Sequence, residues 1–228
     1  GFLNKIGRAI IIFIFLTACM IFLYKGPVLL YLGVALSIWI LISVINDFLE
    51  KTNNKKSRKI FKKKKILSIP ISTYGMYTAH LGLAVFILGV SVSDTNKKLF
   101  EGVLQKGQIV KIAHYKISFS DVTEETRKNW MAEKGRFLIE YKNKNFFMNA
   151  ERRIYLDTGM PSTEAAIHRN FFNHLYIVMG QQQPKGSGKR IIRIYYNPLI
   201  VLIWTGAFLM ALGGIISVMD KKRKRKLV

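Results

Sequence analysis

One histidine lies near the middle of a long apolar stretch. His80 falls within residues 66–93, which contain no Asp, Glu, Lys or Arg. Ionisable groups are costly inside a bilayer, so such a residue commonly marks a functional site. A neutral imidazole at this depth can ligate haem iron, form a hydrogen bond between helices, or belong to a proton path. The spacing alone leaves all three roles open. The other histidines, His114, His168 and His174, belong to a polar segment, so no second histidine in an apolar stretch favours the haem role.

Small residues follow a helical period beside this histidine. Gly75, Gly82 and Gly89 repeat every seven residues and therefore share one face of a helix. Such a face allows a second helix or a flat macrocycle to approach the backbone closely. The single cysteine, Cys19, can form neither an internal disulfide nor a Cys-x-x-Cys pair, and is interpreted as a small apolar residue.

Four stretches free of charge supply the elements that position these residues. They cover residues 9–24, 27–46, 66–93 and 194–219. About 20 helical residues cross a hydrocarbon core of ~30 Å, and a helix satisfies its own backbone hydrogen bonds in lipid. The pattern therefore predicts four transmembrane helices, at about residues 9–24, 27–46, 70–93 and 194–219.

The basic residues set the expected orientation. The formal net charge is +23, with nine Lys or Arg between positions 51 and 65 and six between 221 and 226. Basic tracts beside membrane spans are usually cytoplasmic and contact lipid headgroups. We therefore expect the loop at 50–65 and the tail at 220–228 on the cytoplasmic or matrix side, and residues 94–193 on the opposite side. No aromatic-interleaved basic motif appears outside the spans, which argues against nucleic acid.

Residues 94–193 differ in composition, with 18 basic and 10 acidic residues. Alternating polar and apolar residues predict short strands, at residues 108–113, 115–120, 136–141, 145–149, 175–180 and 189–196. Residues 181–189 predict a hairpin loop, and Thr163 followed by Glu164 predicts the start of a short helix. The expected fold is thus an α-helical polytopic membrane protein with four transmembrane helices and an inserted β-rich extracytoplasmic domain. Short strands joined by turns suggest a small barrel, with a sandwich as the alternative.

Several passages, taken in order, resemble one known family. They are Ala79-His80-Leu81-Gly82 in the third span, Asn129-Trp130-Met131-Ala132, Glu151-Arg152-Arg153-Ile154-Tyr155, Thr163-Glu164-Ala165-Ala166-Ile167, Leu175-Tyr176-Ile177-Val178-Met179-Gly180, and the last span with Asn197-Pro198-Leu199 and Trp204. The ordered set, from Ser72 onward, is similar to the C-terminal part of the haem-handling cytochrome c maturation protein F (CcmF) family.

This resemblance implies a subunit or fragment of a cytochrome c haem lyase in the bacterial cytoplasmic or mitochondrial inner membrane, with residues 94–193 on the periplasmic or intermembrane side. It places His80 as one axial ligand of a transmembrane haem b, and the second ligand must come from outside this chain. The implied partners are the N-terminal CcmF part, a haem chaperone, a thioredoxin-like or apocytochrome-binding protein, apocytochrome c and quinol.

The departures from the family pattern keep a second function open. The family's tryptophan-rich external motif, its two flanking histidines and its first intramembrane ligand are absent, so the resemblance implies one piece of a split protein or a shortened copy, incomplete as an enzyme. The alternative is a non-catalytic membrane-anchored scaffold for maturation partners. Arg152 and Arg153 are interpreted either as contacts for haem propionates or as a solvated strand end, and His174 as a surface substitution.

Overall fold

The structure is a computed structural model that describes residues 26–52 and 69–220, together with residues 11, 13–15, 17–19, 21 and 22. The chain divides into two compact units, a helical one formed by Gly1–Thr95 and Leu199–Val228, and a strand-rich one formed by Asn96–Pro198. The predicted first span at 9–24, most of the basic loop at 50–65 and the tail at 220–228 lie largely outside the described residues.

Three helices of the described ranges are long and apolar enough to cross a membrane. They are α1 (Val28–Thr52), α2 (Ile71–Asn96) and α3 (Ile200–Val218). A fourth crossing is therefore not established, because the described positions between 11 and 22 are helical but belong to a segment with gaps.

Helix α1 extends beyond the predicted end at residue 46. It passes Asp47, whose carboxylate accepts a hydrogen bond from Lys51 at 2.6 Å and from the Tyr77 hydroxyl of α2 at 2.7 Å. Because the charged groups of this last part are paired along the helix and across to α2, they do not end it.

Helix α3 begins at Ile200 rather than at residue 194, as the sequence predicted. Residues 194–198 belong to a strand in which Ile194 and Tyr196 are buried. Leu199, with φ 52°, separates this strand from the helix. These residues lack charge because they belong to a strand that is packed in a protein core. A membrane helix also lacks charge, so composition alone did not distinguish the two.

The glycine stripe of α2 is a helix–helix contact. A Cβ atom added at Gly82 would lie 2.6 Å from the Met210 amide nitrogen and 2.7 Å from the Gly206 carbonyl oxygen, and Gly75 and Gly89 are as close to other parts of α3. Of the two interpretations of this stripe, the structure therefore supports the close approach of a second helix.

On another side of α2, the Ser37 hydroxyl of α1 donates a hydrogen bond of 2.8 Å to the Ala84 carbonyl oxygen. Both residues are almost completely buried. The contact joins α1 to α2 through a satisfied polar group, which is the usual form of polar packing between membrane helices.

The strand-rich unit contains nine strands among its described residues, in two antiparallel sheets. The order is β1-β9-β8-β7 in one sheet and β2-β3-β4-β5-β6 in the other. The strands are β1 (Lys98–Leu104), β2 (Ile109–Ile112), β3 (Tyr115–Thr126), β4 (Trp130–Tyr141), β5 (Lys144–Tyr155), β6 (Pro161–Glu164), β7 (Ala166–Arg169), β8 (Asn173–Gln182) and β9 (Arg190–Pro198).

Alternating apolar side chains from both sheets form one core, which includes Ile117, Phe137, Ile139, Ile177 and Ile192. The strands divide between two separately paired sheets. Of the two expected architectures, the small barrel is therefore not confirmed, and the sandwich agrees with the two sheets. Period-two alternation identifies half-buried strands in either architecture, so it does not distinguish a barrel from a sandwich.

Residues 163–167 do not start a helix, contrary to the prediction. Thr163 and Glu164 end β6, which pairs with β5 so that Thr163 faces Arg152, and β7 begins two residues later. Pairing with neighbouring strands outweighs the local capping signal here, since helix propensity is a weak prior.

Candidate functional site

His80 lies on an exposed side of α2, away from the glycine stripe. Met76, Leu83 and Val90, at helical spacing from it, are also exposed. Neither the Gly75–Gly82–Gly89 contact with α3 nor the Ala84 contact with α1 uses this face. The imidazole is therefore a polar group on an otherwise apolar surface that is open to a ligand or a further helix.

One tautomer of a neutral His80 ring fits its surroundings. Its Nδ1 lies 2.8 Å from the carbonyl oxygen of Met76, one helical turn earlier. A carbonyl oxygen only accepts, so Nδ1 carries the proton and donates it. The lone pair then belongs to Nε2, which is the arrangement that backbone carbonyls commonly impose on metal-binding histidines.

These features fit one axial position of a haem. A neutral imidazole nitrogen with a free lone pair is a common ligand of haem iron, and the surrounding Met76 and Leu83 side chains suit an apolar macrocycle. The described residues of α1, α2 and α3 include no second histidine. A haem site with two histidine ligands would therefore need its second one from outside these helices.

The external arginines Arg152 and Arg153 have different surroundings. Arg153 contacts Glu151 at 2.8 Å and its guanidinium lies 4.6 Å from the centre of the Trp130 ring. Arg152 lies 3.5 Å from Glu133, next to the buried Arg190. The predicted pair therefore separates, because consecutive residues of a strand point to opposite faces.

His174 is buried, with 8% of its surface exposed, so its interpretation as a surface substitution is wrong. It pairs in register with Arg169, and burial together with this positive neighbour lowers the pKa of the imidazole. Arg152 and Arg153 form their ion pairs with Glu133, Glu151 and Glu164.

Arg190 of β9 and Glu133 of β4 form an ion pair that the sequence did not predict. The two guanidinium nitrogens Nη1 and Nη2 donate to the carboxylate at 2.5 and 2.8 Å. This contact joins the two sheets, and the neighbouring arginine lowers the pKa of Glu133. A charged residue at the start of a largely apolar strand was the sequence signal for this ion pair, and its partner lies 57 residues away.

Comparison with known proteins agrees with this architecture. Residues 99–198 match a family model described as the CcmF C-terminal beta-sandwich. The cytochrome c-type biogenesis protein CcmF of Escherichia coli (strain K12) is 30% identical over 197 residues, which are 86% of this chain and 28% of that protein. CcmF of Pseudomonas fluorescens is 28% identical over 193 residues, 84% of this chain and 28% of its own length.

A solved structure, the Cytochrome c Heme Lyase CcmF, has a similar fold. Its TM-score is 0.74 at 14% identity, and the match covers 95% of this chain and 35% of that chain. This chain thus spans less than a third of the two curated relatives and about a third of the solved one.

Apolar helices that precede and follow a two-sheet domain in the sequence define the class, which is a membrane protein with an inserted β-sandwich. Within this class, residues 99–198 match the CcmF C-terminal beta-sandwich, and the chain is similar to CcmF proteins over most of its length.

Proposed function

We propose that this chain is the C-terminal part of a cytochrome c haem lyase and that His80 is one axial ligand of a haem b held among membrane helices. The observation that carries this proposal is the Nδ1 hydrogen bond to Met76, which leaves Nε2 available on an exposed apolar face. The relationship to CcmF proteins of cytochrome c biogenesis supports the assignment of haem as the group that is bound.

The residues of this chain have simple roles in such a site. The carbonyl of Met76 fixes the tautomer and the plane of the His80 ring. The glycine contact between α2 and α3 holds the helix in place, so that the ring has a constant position. When bound, the haem supplies electron transfer, and quinol is the proposed donor. The second axial ligand comes from the N-terminal CcmF part, so the chain is not a complete enzyme alone.

The β-sandwich is the proposed docking domain. It offers a folded surface with exposed pairs of acidic and basic residues, suited to a haem chaperone, a thioredoxin-like or apocytochrome-binding partner and apocytochrome c. We place the β-sandwich on the periplasmic or intermembrane side of a bacterial cytoplasmic or mitochondrial inner membrane. The basic tracts at 51–65 and 221–226 favour the cytoplasmic or matrix side for the loop and the tail, which leaves the opposite side for the β-sandwich.

The proposal is tested by purifying the chain with a CcmF N-terminal part and measuring haem per complex by the pyridine haemochrome assay. We expect His80→Ala to lower the bound haem at least tenfold and to abolish cytochrome c maturation, since an imidazole–iron bond is lost. His114→Ala, which changes an exposed histidine of the β-sandwich, is the matched control and should retain haem. Equal haem content in both variants would show that His80 is not a ligand.

A membrane-anchored scaffold is the second candidate, because the described spans supply only one histidine. A scaffold needs the β-sandwich and does not need the imidazole. Maturation that survives His80→Ala but is lost when residues 96–198 are replaced by a short linker would favour the scaffold. Loss of maturation in both variants, with haem lost only in the first, is the result that the ligand proposal predicts.

A further inference from the structure

One small cavity in the β-sandwich has an excess of positive charge. Its volume is about 190 Å³, and it is lined by Glu133, Arg152, Gln181, Gln182, Lys185 and Arg190. Three of these side chains are cationic and one is anionic, so the lining has two uncompensated positive charges. A concave surface of this composition is suited to an anion.

Arg190 gives a second, independent indication of a ligand. It is 4% exposed, and its Nη1 and Nη2 both donate to Glu133. Its Nε is buried and has no hydrogen-bond partner among the described residues. A buried donor without a partner is costly, and such groups are rare unless a ligand or a water completes them.

The backbone around the cavity is irregular on one side. The pairing of β8 with β9 shifts register between Met179 and Gln182, which leaves Gly180 and Gln181 outside the regular ladder, while Gln182 pairs with Arg190. The loop that follows contains Lys185, and Gly186 and Gly188 adopt positive φ angles there. Bulges of this kind re-aim side chains and occur frequently beside binding sites.

We propose that Arg152, Lys185 and Arg190 bind a carboxylate presented from outside this chain. Guanidinium groups match the two oxygens of a carboxylate, and the amides of Gln181 and Gln182 add neutral donors. The volume accommodates a carboxylate arm and not a whole porphyrin. A porphyrin propionate and an acidic side chain of a polypeptide share this chemistry, and both are consistent with the cavity.

Binding should be measured on the full chain in detergent with two pairs of probes. The first pair is metal-free protoporphyrin IX and its dimethyl ester, which lacks the carboxylates. The second pair is a short peptide with two glutamates and its glutamine counterpart. The metal-free porphyrin cannot be ligated by His80, so the result does not depend on the proposed haem site.

The substitutions are made in the exposed loop beside the cavity, at one lysine that lines it and at one that does not. Lys185→Gln removes one cationic group without touching the buried Arg190–Glu133 pair, and it should weaken binding about tenfold by loss of a charge-assisted hydrogen bond. Lys189→Gln, in the same loop and outside the cavity lining, makes the same change in net charge and should leave the affinity within about twofold of wild type.

The outcomes distinguish the two possible origins of the carboxylate, which are a porphyrin propionate and an acidic side chain of a polypeptide. Binding of the porphyrin acid but not the peptide assigns the site to propionates, the reverse assigns it to a polypeptide, and binding of both supports a general carboxylate site. Binding of neither acid overturns the proposal. Equal weakening by Lys185→Gln and Lys189→Gln also overturns it, because it would show attraction to the loop's charge in general.

Discussion

Tyr115 joins the two sheets at one end of the β-sandwich. Its hydroxyl donates to Asn173 Oδ1 at 2.6 Å and accepts from Asn170 Nδ2 at 3.0 Å. The ring is 1% exposed and stacks on Tyr141, with 4.4 Å between the ring centres. Burial raises the pKa of Tyr115 to about 12 from its ordinary value of 10.0, so the folded protein holds this proton more tightly than the unfolded chain does.

This pKa predicts a specific loss of stability in alkali. The stabilisation from Tyr115 is complete below pH 10, where both states are protonated, and declines as the pH rises towards 12, because the unfolded chain releases the proton first. Comparison with Tyr115→Phe isolates this effect. Between pH 9 and pH 12, the difference in the free energy of unfolding between the two proteins should shift by about 2–3 kcal/mol in favour of Tyr115→Phe.

Denaturant titrations of the chain in detergent, followed by circular dichroism near 215 nm, measure this difference. At pH 8 the variant should be less stable by about 1–3 kcal/mol, because the buried Asn173 loses a donor. A difference that stays constant up to pH 12 would contradict the assignment of a raised pKa to Tyr115.

The partners and the burial of several side chains could not be predicted from the sequence. The place of His80 in an apolar helix follows from the lack of charged residues around it. Its tautomer follows from the contact of Nδ1 with the Met76 carbonyl oxygen, which the structure shows. The burial of His174 and the bond from Arg190 to Glu133 depend on strands that are distant in sequence. No local pattern identifies such partners, since side-chain neighbours across sheets are set by register.

At the scale of the elements, the contact between α2 and α3 depends on glycine. Adding a Cβ atom at Gly82 places it against backbone atoms of α3, 2.6 Å from the Met210 nitrogen. Gly214 of α3 offers the opposite case, because a Cβ there has no neighbour within 4 Å. The two positions therefore form a matched pair for testing the helix contact.

Gly82→Ala should destabilise the helical unit by about 1–3 kcal/mol, because two backbones must move apart. Gly214→Ala should be neutral or slightly stabilising, because alanine favours a helix. Thermal unfolding in detergent, followed by helical circular dichroism at 222 nm, measures both. Equal effects of the two substitutions would mean that α2 and α3 do not meet through this stripe.

The elements that the sequence predicted correctly have strong local signals. The six predicted strands all overlap observed strands, because their apolar residues alternate. Strand β1 was missed, since Lys98, Glu101 and Gly102 interrupt its alternation and its partner β9 lies far along the chain. The start of α3 was misplaced because a buried strand and a membrane span can both lack charge.

At the scale of the whole molecule, the chain corresponds to part of its longer relatives. It covers 28% of the length of its Escherichia coli relative, and its described spans contain a single histidine. A low-spin haem b with two histidine ligands therefore requires another polypeptide segment. The account predicts that haem binding depends on the N-terminal part and on the His80 side chain together.

The claim that His80 ligates haem iron is tested most directly by a visible spectrum. The spectrum is recorded on the complex of this chain with a CcmF N-terminal part, using the variant His80→Gly with and without added imidazole. We expect the variant to lose the sharp α-band that a reduced bis-histidine haem b shows, and to recover it when free imidazole occupies the space left by the side chain. The band should not return with His80→Phe, which fills that space. A reduced spectrum of His80→Gly identical to wild type before imidazole is added would contradict the account.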